Sequence, residues 1–499
     1  MGTAPAMAVE TGRITTDIPA RLDRLPWARW HWLVVIGLGT VWILDGLEVT
    51  IVGSMSDALK PDGTGLGMNN FDIGLAGSMY VAGACLGAPF FGQLTDRLGR
   101  KKLFIVTLAV YTVATVLTAF SMNPMWYFAC RFLTGCGIGG EYAAINSAID
   151  ELIPAKYRGR VDIAINGSFW VGAAGGALLT IPLLDPTMID QSWGWRLAFG
   201  LGAILAVGIL VVRRNVPESP RWLFIHGRED EAEQIVRDIE RTVSEESHHQ
   251  LHDVHDTITV RQRTSIGIGL IARTVFTLYP KRTILCFSLF VGQAFLYNAF
   301  FFTYGDTLTT FLGVEQTGYY IAVFAASNFA GALLLSPLFD TLGRVKMITA
   351  TYIGSGVLLA VTGFYLGSFD ATTLTLMGAI IFFMASAGAS AAYLTASEVF
   401  PMETRALCIA FFYAIGTAAG GISGPLFFGW LIEQASADKD ITQIAVGYFL
   451  GAALMIIGGI VEAFLGVKAE GKSLESIAQP LTAEDTDTGS TGSTQPQHA

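Results

Sequence analysis

Long apolar runs, interrupted by short clusters of charge, dominate the chain. A helix needs about 20 residues, at about 1.5 Å each, to cross a bilayer, and runs of roughly that length occur twelve times. They cover residues 31–52, 73–94, 103–121, 126–148, 163–184 and 197–212, then 284–304, 319–338, 347–366, 374–396, 406–432 and 441–466. A polar segment, 1–30, precedes the first run, and a polar linker, 213–283, separates the two sets of six. The end of the chain, 467–499, is rich in Ser, Thr, Gly and Gln and predicts a largely disordered tail, having nothing to bury. The pattern predicts an all-α polytopic membrane protein of twelve transmembrane helices, arranged as six-helix bundles at 31–212 and 284–466.

Composition supports this class. Of 499 residues, 52% are apolar and 14% carry Asp, Glu, Lys or Arg, against roughly 25% charged in soluble domains. A disordered chain, a disulfide mini-protein and an ordinary soluble enzyme are excluded. The net charge of −10 gathers in the linker and tail, so it marks no nucleic-acid partner. The five cysteines (Cys85, Cys130, Cys136, Cys286, Cys408) sit in apolar runs without metal-ligand spacing and read as small buried hydrophobes. No small-residue cleavage site follows the first run, which reads as a retained helix instead of a signal peptide. With the N-terminus inside, nearly all of the 31 Lys and Arg fall on the cytoplasmic side. Only Lys60 and Lys439 fall in outer loops, and Arg131 and Arg196 lie in spans or at their ends. Both termini and the linker are therefore expected in the cytoplasm, and the chain in the cell (inner) membrane.

The two sets of six repeat each other at a spacing of about 245 residues. Asp96-Arg97-Leu98-Gly99-Arg100 matches Asp340-Thr341-Leu342-Gly343-Arg344. Glu151-Leu152-Ile153-Pro154 with Arg158 matches Glu398-Val399-Phe400-Pro401 with Arg405. Gly172-Ala173-Ala174-Gly175-Gly176 matches Thr417-Ala418-Ala419-Gly420-Gly421. Paired repeats around a midplane site are the architecture of rocking secondary transporters.

Gly92-Gln93-Leu94-Thr95-Asp96-Arg97-Leu98-Gly99-Arg100-Lys101 resembles the loop 2–3 signature of the major facilitator superfamily. Three further stretches are similar to its sugar-porter-like branch: Arg131 with Gly135, Gly137 and Gly139; Glu151 with Pro154, Arg158 and Gly159; and Pro217-Glu218-Ser219-Pro220-Arg221. The double glutamine of sugar porters in helix 7 is replaced by Gly292-Gln293-Ala294-Phe295-Leu296-Tyr297-Asn298, and the tail motif is reduced to Lys468-Ala469-Glu470-Gly471-Lys472. Asp45-Gly46-Leu47-Glu48 resembles the Asp-Gly-aromatic-Asp of aromatic-acid symporters.

Ionisable groups at bilayer depth are costly and mark function. Asp45 and Glu48, at i and i+3, share a face of helix 1. Helical rise puts Asp45 about 10 Å and Arg131 about 8 Å below the outer surface, within reach of an ion pair between helices 1 and 4. Asp45 or Glu48 is then the expected proton carrier, with Arg131 stabilising its deprotonated form. The resemblance implies the same, since sugar-porter-like proton symporters pair a helix 1 acid with this arginine. A structural ion pair is the alternative. Glu141, after the glycines of helix 4, is either a core polar residue or a second proton site.

Asp96, Arg97, Arg100, Glu151, Arg158, Glu218 and Arg221 in one half, and Asp340, Arg344, Glu398 and Arg405 in the other, lie at cytoplasmic helix ends. Exposed ion pairs are worth only about 0–1 kcal/mol each, so these residues are expected to form a network that holds the inner side shut. A substrate cavity needs a few polar groups in an apolar wall. The candidates are Asn166, Trp170, Gln293, Tyr297, Asn298, Asn328, Tyr393 and Tyr413, with aromatic Phe300, Phe301 and Phe302 crowding helix 7. In the linker, His248, His252 and His255 would share a helix face beside His249, yet no second ligand set accompanies them, so no metal is expected.

The sequence therefore reads as a proton-coupled symporter of a small organic solute (an organic or aromatic acid, or a sugar). It is expected to work as a monomer by alternating access, with no cofactor. A non-transporting sensor on the same scaffold and a facilitator without proton coupling are the alternatives.

Overall fold

The computed structural model describes residues 10–481, apart from 55, 60–62, 69, 186, 214–216, 248–250, 255, 264–267, 315–317, 402–403, 439 and 480. Lys60, Lys439, His248, His249, His255, the side chains of Asp96, Phe300, Phe301 and Phe302, and the tail beyond 481 lie outside the described residues. In chain order the helices of the first half are α1 (Ile18–Asp23), α2 (Arg29–Ser54), α3 (Asn70–Leu98), α4 (Arg100–Ala119), α5 (Pro124–Leu152), α6 (Arg158–Gly167), α7 (Phe169–Leu184) and α8 (Gln191–Arg213). The linker holds α9 (Pro220–Ile225), α10 (Glu229–Ser247) and α11 (Ile268–Arg273). The second half has α12 (Pro280–Leu312), α13 (Gly318–Thr341), α14 (Arg344–Tyr365), α15 (Ala371–Glu398), α16 (Arg405–Gly416), α17 (Ser423–Asp438) and α18 (Ala445–Leu465), followed by the short α19 (Leu474–Ile477).

Pairing α6 with α7 and α16 with α17 gives twelve spans in two sets of six, the expected fold class. Among the described residues, nine helical stretches are long and apolar enough to cross a membrane by themselves. The other three are α5, which carries Arg131 and Glu141 within its length, α12, and the interrupted α16–α17 pair.

The fifth span of each half, which reads as continuous in sequence, departs from regular α-helix, at Ser168 in the first and at Thr417–Ile422 in the second. Between α6 and α7, the Ser168 hydroxyl donates to its own helix at Ile165 O (2.6 Å) and lies 3.1 Å from Gly39 O on α2. Such back-bonding bends helices. Between α16 and α17, Thr417–Ile422 winds as a π-helix, where a β-carbon on Gly420 would come within 2.5 Å of Phe295 N. Single π turns inside helices are frequent at functional sites.

Glycines set a very close helix contact near the middle of the first half. A β-carbon on Gly135 of α5 would lie 2.0 Å from Tyr80 O, one on Gly139 2.2 Å from Ala84 O, and one on Gly83 2.1 Å from Phe132 O. Helices α3 and α5 therefore touch backbone to backbone, and Tyr80 is carried against Arg131. Gly135→Val is expected to cost about 3 kcal/mol or more, because overpacking here can be relieved only by moving a helix. The change should appear as a lowered melting temperature in detergent. An unchanged melting temperature would mean that the helices can part freely.

Residues before α2 belong to a folded cap. Strand β1 (Glu10–Thr16) pairs antiparallel with β2 (Ile258–Arg263), from Glu10 opposite Arg263 to Thr16 opposite Ile258. Ile18, Leu22 and Leu25 pack with Trp222 to Ile225 of α9 and with Ala232, Val236, Ile239 and Val243 of α10 in one small core. Around it, Arg21 bridges Glu233 (2.8 Å) and Glu240 (2.5 Å), and Arg24 joins Glu240 (2.5 Å). Burial raises the Glu240 carboxyl, but the bonds from Arg21 and Arg24 outweigh it and hold the group below its ordinary value. His252 follows α10 in an irregular stretch, so the helix face expected for the histidines does not form there.

Candidate functional site

A cavity of about 220 Å³ opens between the two bundles. From the first half, Trp42 and Asp45 of α2, Tyr80 of α3, Tyr142 of α5, Asn166 of α6 and Trp170 of α7 line it. Gln293, Tyr297 and Asn298 of α12, Ser386, Ser390 and Tyr393 of α15, Tyr413 of α16 and Thr417 complete the wall. The walls are aromatic. Trp42 stacks on Tyr142 with ring centres 4.3 Å apart and 7° between planes, and Tyr142 meets Tyr413 edge-on at 5.0 Å. Trp170 and Tyr297 face each other across the bundles at 5.7 Å.

All the expected cavity residues except Asn328 lie on this wall. Asn328 stands behind it, accepting a hydrogen bond from the Tyr297 hydroxyl (2.8 Å) and donating to Phe324 O (2.9 Å). Ordinary helical spacing explains the difference: Asn328 lies on the face of α13 turned to α12. The structure adds Trp42, Tyr80, Tyr142, Ser386, Ser390 and Thr417. Of these, Trp42 was within reach of sequence reasoning, since it lies three residues before Asp45 and hence on the same helix face.

The two acids of α2 go to different partners, which corrects the expected pairing of Asp45 with Arg131. Asp45 accepts hydrogen bonds from the hydroxyls of Tyr80 and Tyr142, one on each carboxylate oxygen. Glu48, turned away from the cavity, forms the ion pair with Arg131 and also accepts from the Thr115 hydroxyl (3.3 Å). Asp45, Glu48 and Arg131 are each at most 2% exposed. Three residues turn a helix by about 300°, so neighbours on one face still diverge by about 60°, enough to send one carboxylate to the tyrosine hydroxyls and the other to Arg131. The Arg131 guanidinium lies 4.6 Å over the Tyr80 ring. Glu141 is buried below the cavity and accepts from the Thr107 hydroxyl (3.0 Å). Asp162, absent from the expectations, is also fully buried and accepts from the Asn166 amide (3.2 Å).

At the charged end of the bundle the expected gate residues assemble, mostly within each half. Arg100 pairs with Glu151 (2.8 Å), and Arg344 with both Asp340 (2.6 Å) and Glu398 (3.0 Å). Contacts that cross between halves include Arg405 to Glu151 at 3.8 Å and the Arg160 backbone N–H donating to Asp340 at 2.8 Å. Arg158 and Arg221 extend the network to the polar segments that flank the bundles. Both converge on Asp23 of α1, at 3.2 and 3.3 Å, and Arg221 also lies 3.6 Å from Glu475 of α19. These acids come from segments that read as plain tails. Arg97 is exposed and joins no ion pair among the described residues.

Glu218 has a different task from ion pairing. It accepts from the backbone N–H groups of Arg100 (2.8 Å) and Lys101 (3.2 Å), closing the first turn of α4. Burial pushes its carboxyl up from the ordinary value, against these bonds and the Arg100 charge. Glu470 does the same for α14 at Arg344 N (3.4 Å). Gly99 and Gly343, at φ 92° and 102°, precede the two helices and leave room for these carboxylates.

Residues 36–481 match the family model for sugar (and other) transporters. The chain is 29% identical to the niacin transporter NiaP of Acinetobacter baylyi, over 92% of this chain and 99% of that protein. It is 28% identical to the putative metabolite transport protein YdjK of Escherichia coli, over 92% and 96%. Among solved structures, it resembles the proton:xylose symporter XylE bound to 6-bromo-6-deoxy-D-glucose, with a TM-score of 0.74 and 16% identity, covering 89% of this chain and 98% of that one. The likeness extends over all twelve spans. The chain belongs to the sugar transporter family of the major facilitator superfamily, and it is a membrane transporter, not an enzyme.

Proposed function

We propose that the chain is a proton-coupled symporter of a small, planar aromatic solute. The observation that carries this reading is the Asp45 carboxylate on the wall of an aromatic cavity, beside a buried Glu48–Arg131 pair. A carboxylate withdrawn from water is costly, and taking up a proton removes that cost. Asp45 takes the proton when the cavity faces outward and gives it up when the cavity faces inward. Glu48 neutralises Arg131 and holds it over the ring of Tyr80, one of the two tyrosines that hold Asp45. The stacked Trp42–Tyr142 pair and the facing Trp170 and Tyr297 suit a flat ring, and a relative named for niacin supports a solute of that size.

In this reading the bundles rock about the cavity within a single monomer, and the paired charges close the inner side. The distribution of Lys and Arg supports cytoplasmic termini and linker and a place in the inner membrane.

The test is uptake by purified protein in liposomes with an imposed pH gradient, using labelled nicotinate and nicotinamide, with xylose as a control. Wild type is expected to concentrate an aromatic solute and to alkalinise the outside as it does so. Asp45→Asn is expected to lower accumulation at least about tenfold while exchange of solute across the membrane, which needs no net proton movement, persists. Accumulation by Asp45→Asn at the wild-type level would overturn proton coupling through this residue.

A further inference from the structure

We infer that Glu462 of α18 is a proton-binding site in the second half, separate from Asp45. It is filled while Arg282 holds the short helix α19, and it empties when Arg282 leaves α19 to pair with it. The site stands apart from the cavity and does not depend on which solute fills it.

Glu462 is 1% exposed and lies in the last turn of α18. Its Oε2 is buried without a hydrogen-bond partner, and no ion pair reaches it among the described residues. The carboxyl folds back against the end of its own helix, where a β-carbon on Gly466 would lie 2.5 Å from Oε1. Free carbonyls at a helix C-terminus disfavour negative charge, and a buried carboxylate without a counter-ion is costly. A proton removes both penalties. The facing groups offer no substitute for it. Tyr352 of α14 lies within electrostatic reach, but gives its hydroxyl hydrogen to Leu289 O (2.9 Å). Cys286 of α12, with Cys408 of α16 near it, brings a thiol, which is a weak donor. Helix α17 meets α18 toward its other end, Phe428 against Gly447.

A cation stands one helical turn before Cys286. Arg282 gives hydrogens to Val399 O (2.5 Å), at the end of α15, and to Ile477 O (2.9 Å) of α19. Its guanidinium lies 4.6 Å over the Tyr279 ring and joins no ion pair among the described residues. Helix α19 in turn carries Glu475, 3.6 Å from Arg221 of the linker. Arg282 therefore ties α12 and α15 to a segment that reaches across to the linker. An acid without a cation and a cation without an acid thus both lie within electrostatic reach of Cys286. Bringing them together requires Arg282 to let go of α19. Loss of the proton from Glu462 favours release of α19, and release favours loss of the proton, because such linkage is reciprocal. A filled site keeps the charged end shut, and an emptied one loosens it.

Two measurements on the purified full chain test this, with wild type, Glu462→Gln and Arg282→Gln at pH 6.5 and 8.5. In infrared difference spectra at pH 6.5, Glu462→Gln is expected to remove the carbonyl band of a protonated carboxyl. Loss of carboxylate bands in its place would overturn the inference. Gln is the neutral isostere of the protonated acid, so Glu462→Gln is expected to melt with wild type at pH 6.5. A sharp loss of stability, or a failure to fold, would overturn the inference as well. Hydrogen–deuterium exchange, corrected for the intrinsic effect of pH, reads the hold on α19. Protection of Leu474–Ile477 in wild type is expected to fall at least about tenfold between pH 6.5 and 8.5. Glu462→Gln is expected to keep its protection at both pH values, and Arg282→Gln to lack it at both. An equal fall in wild type and Glu462→Gln, or no fall in wild type, would overturn the inference and leave proton coupling through Asp45 untouched.

Discussion

Glu48→Gln is expected to destabilise the protein by about 3–5 kcal/mol, more than any change at Asp45, because it leaves the Arg131 charge buried without its counter-ion. Arg131 and Glu48 are each 2% exposed, so water cannot replace the lost partner. Asp45→Asn removes a charge that is held by neutral tyrosines and strands no cation. The measurement is thermal unfolding in detergent of Glu48→Gln, Arg131→Met and the double variant. Each single change should lower the melting temperature sharply, and the double change should recover most of the loss, since removing both charges leaves neither buried without its counter-ion. If the double variant melts at the sum of the two single losses, the residues act independently and the pair is not a unit.

Glu151→Gln is expected to open the charged end of the bundle. Glu151 faces Arg100 at 2.8 Å and Arg405 of the other half at 3.8 Å, and its side chain is 2% exposed. Its neutralisation leaves two buried arginines short of charge in the closed state only, a penalty of about 3–5 kcal/mol. A bias of about 5.5 kcal/mol is enough to carry a two-state equilibrium from 1:99 to 99:1, so this one position can reverse which side is shut. Hydrogen–deuterium exchange should rise in α6 and α16, which line the interface, while α14 and α18 at the flank stay protected. Unchanged exchange in α6 and α16 would mean that closure rests on packing and not on these charges.

The size of that effect differs from what the sequence suggests. Read along the chain, Arg100, Glu151, Arg344 and Glu398 look like loop charges in water, where a pair is nearly worthless. Folded, all four are at most 3% exposed, and the neighbouring Arg158 and Arg221 are met by Asp23 and Glu475. Composition cannot foretell those contacts, since they come from polar segments whose partners lie far away in sequence. The acids of helix 1 were legible, because a charge inside an apolar run has no other explanation. Their division between Tyr80 and Arg131 was not, because a helical turn separates them by an angle that only the neighbouring helices decide. Asp162 escaped notice for a simpler reason: it lies one residue before the apolar run at 163–184, whereas the helix it belongs to begins at Arg158. The tyrosines around Asp45 look in sequence like any core aromatics, and only the position of their hydroxyls distinguishes them.

The pairing of β1 with β2 constrains how the molecule can be made. Residues 10–16 leave the ribosome well before their partner strand, 258–263, which follows six membrane spans and most of the linker. Throughout synthesis of the first bundle, Ile18, Leu22 and Leu25 have no α9 or α10 to pack on, and Asp23 has no Arg221 to meet. The cap can close only once the first half and most of the linker have been made. Its closure therefore depends on a chain that has been made at least through the linker, beyond all six helices of the first bundle.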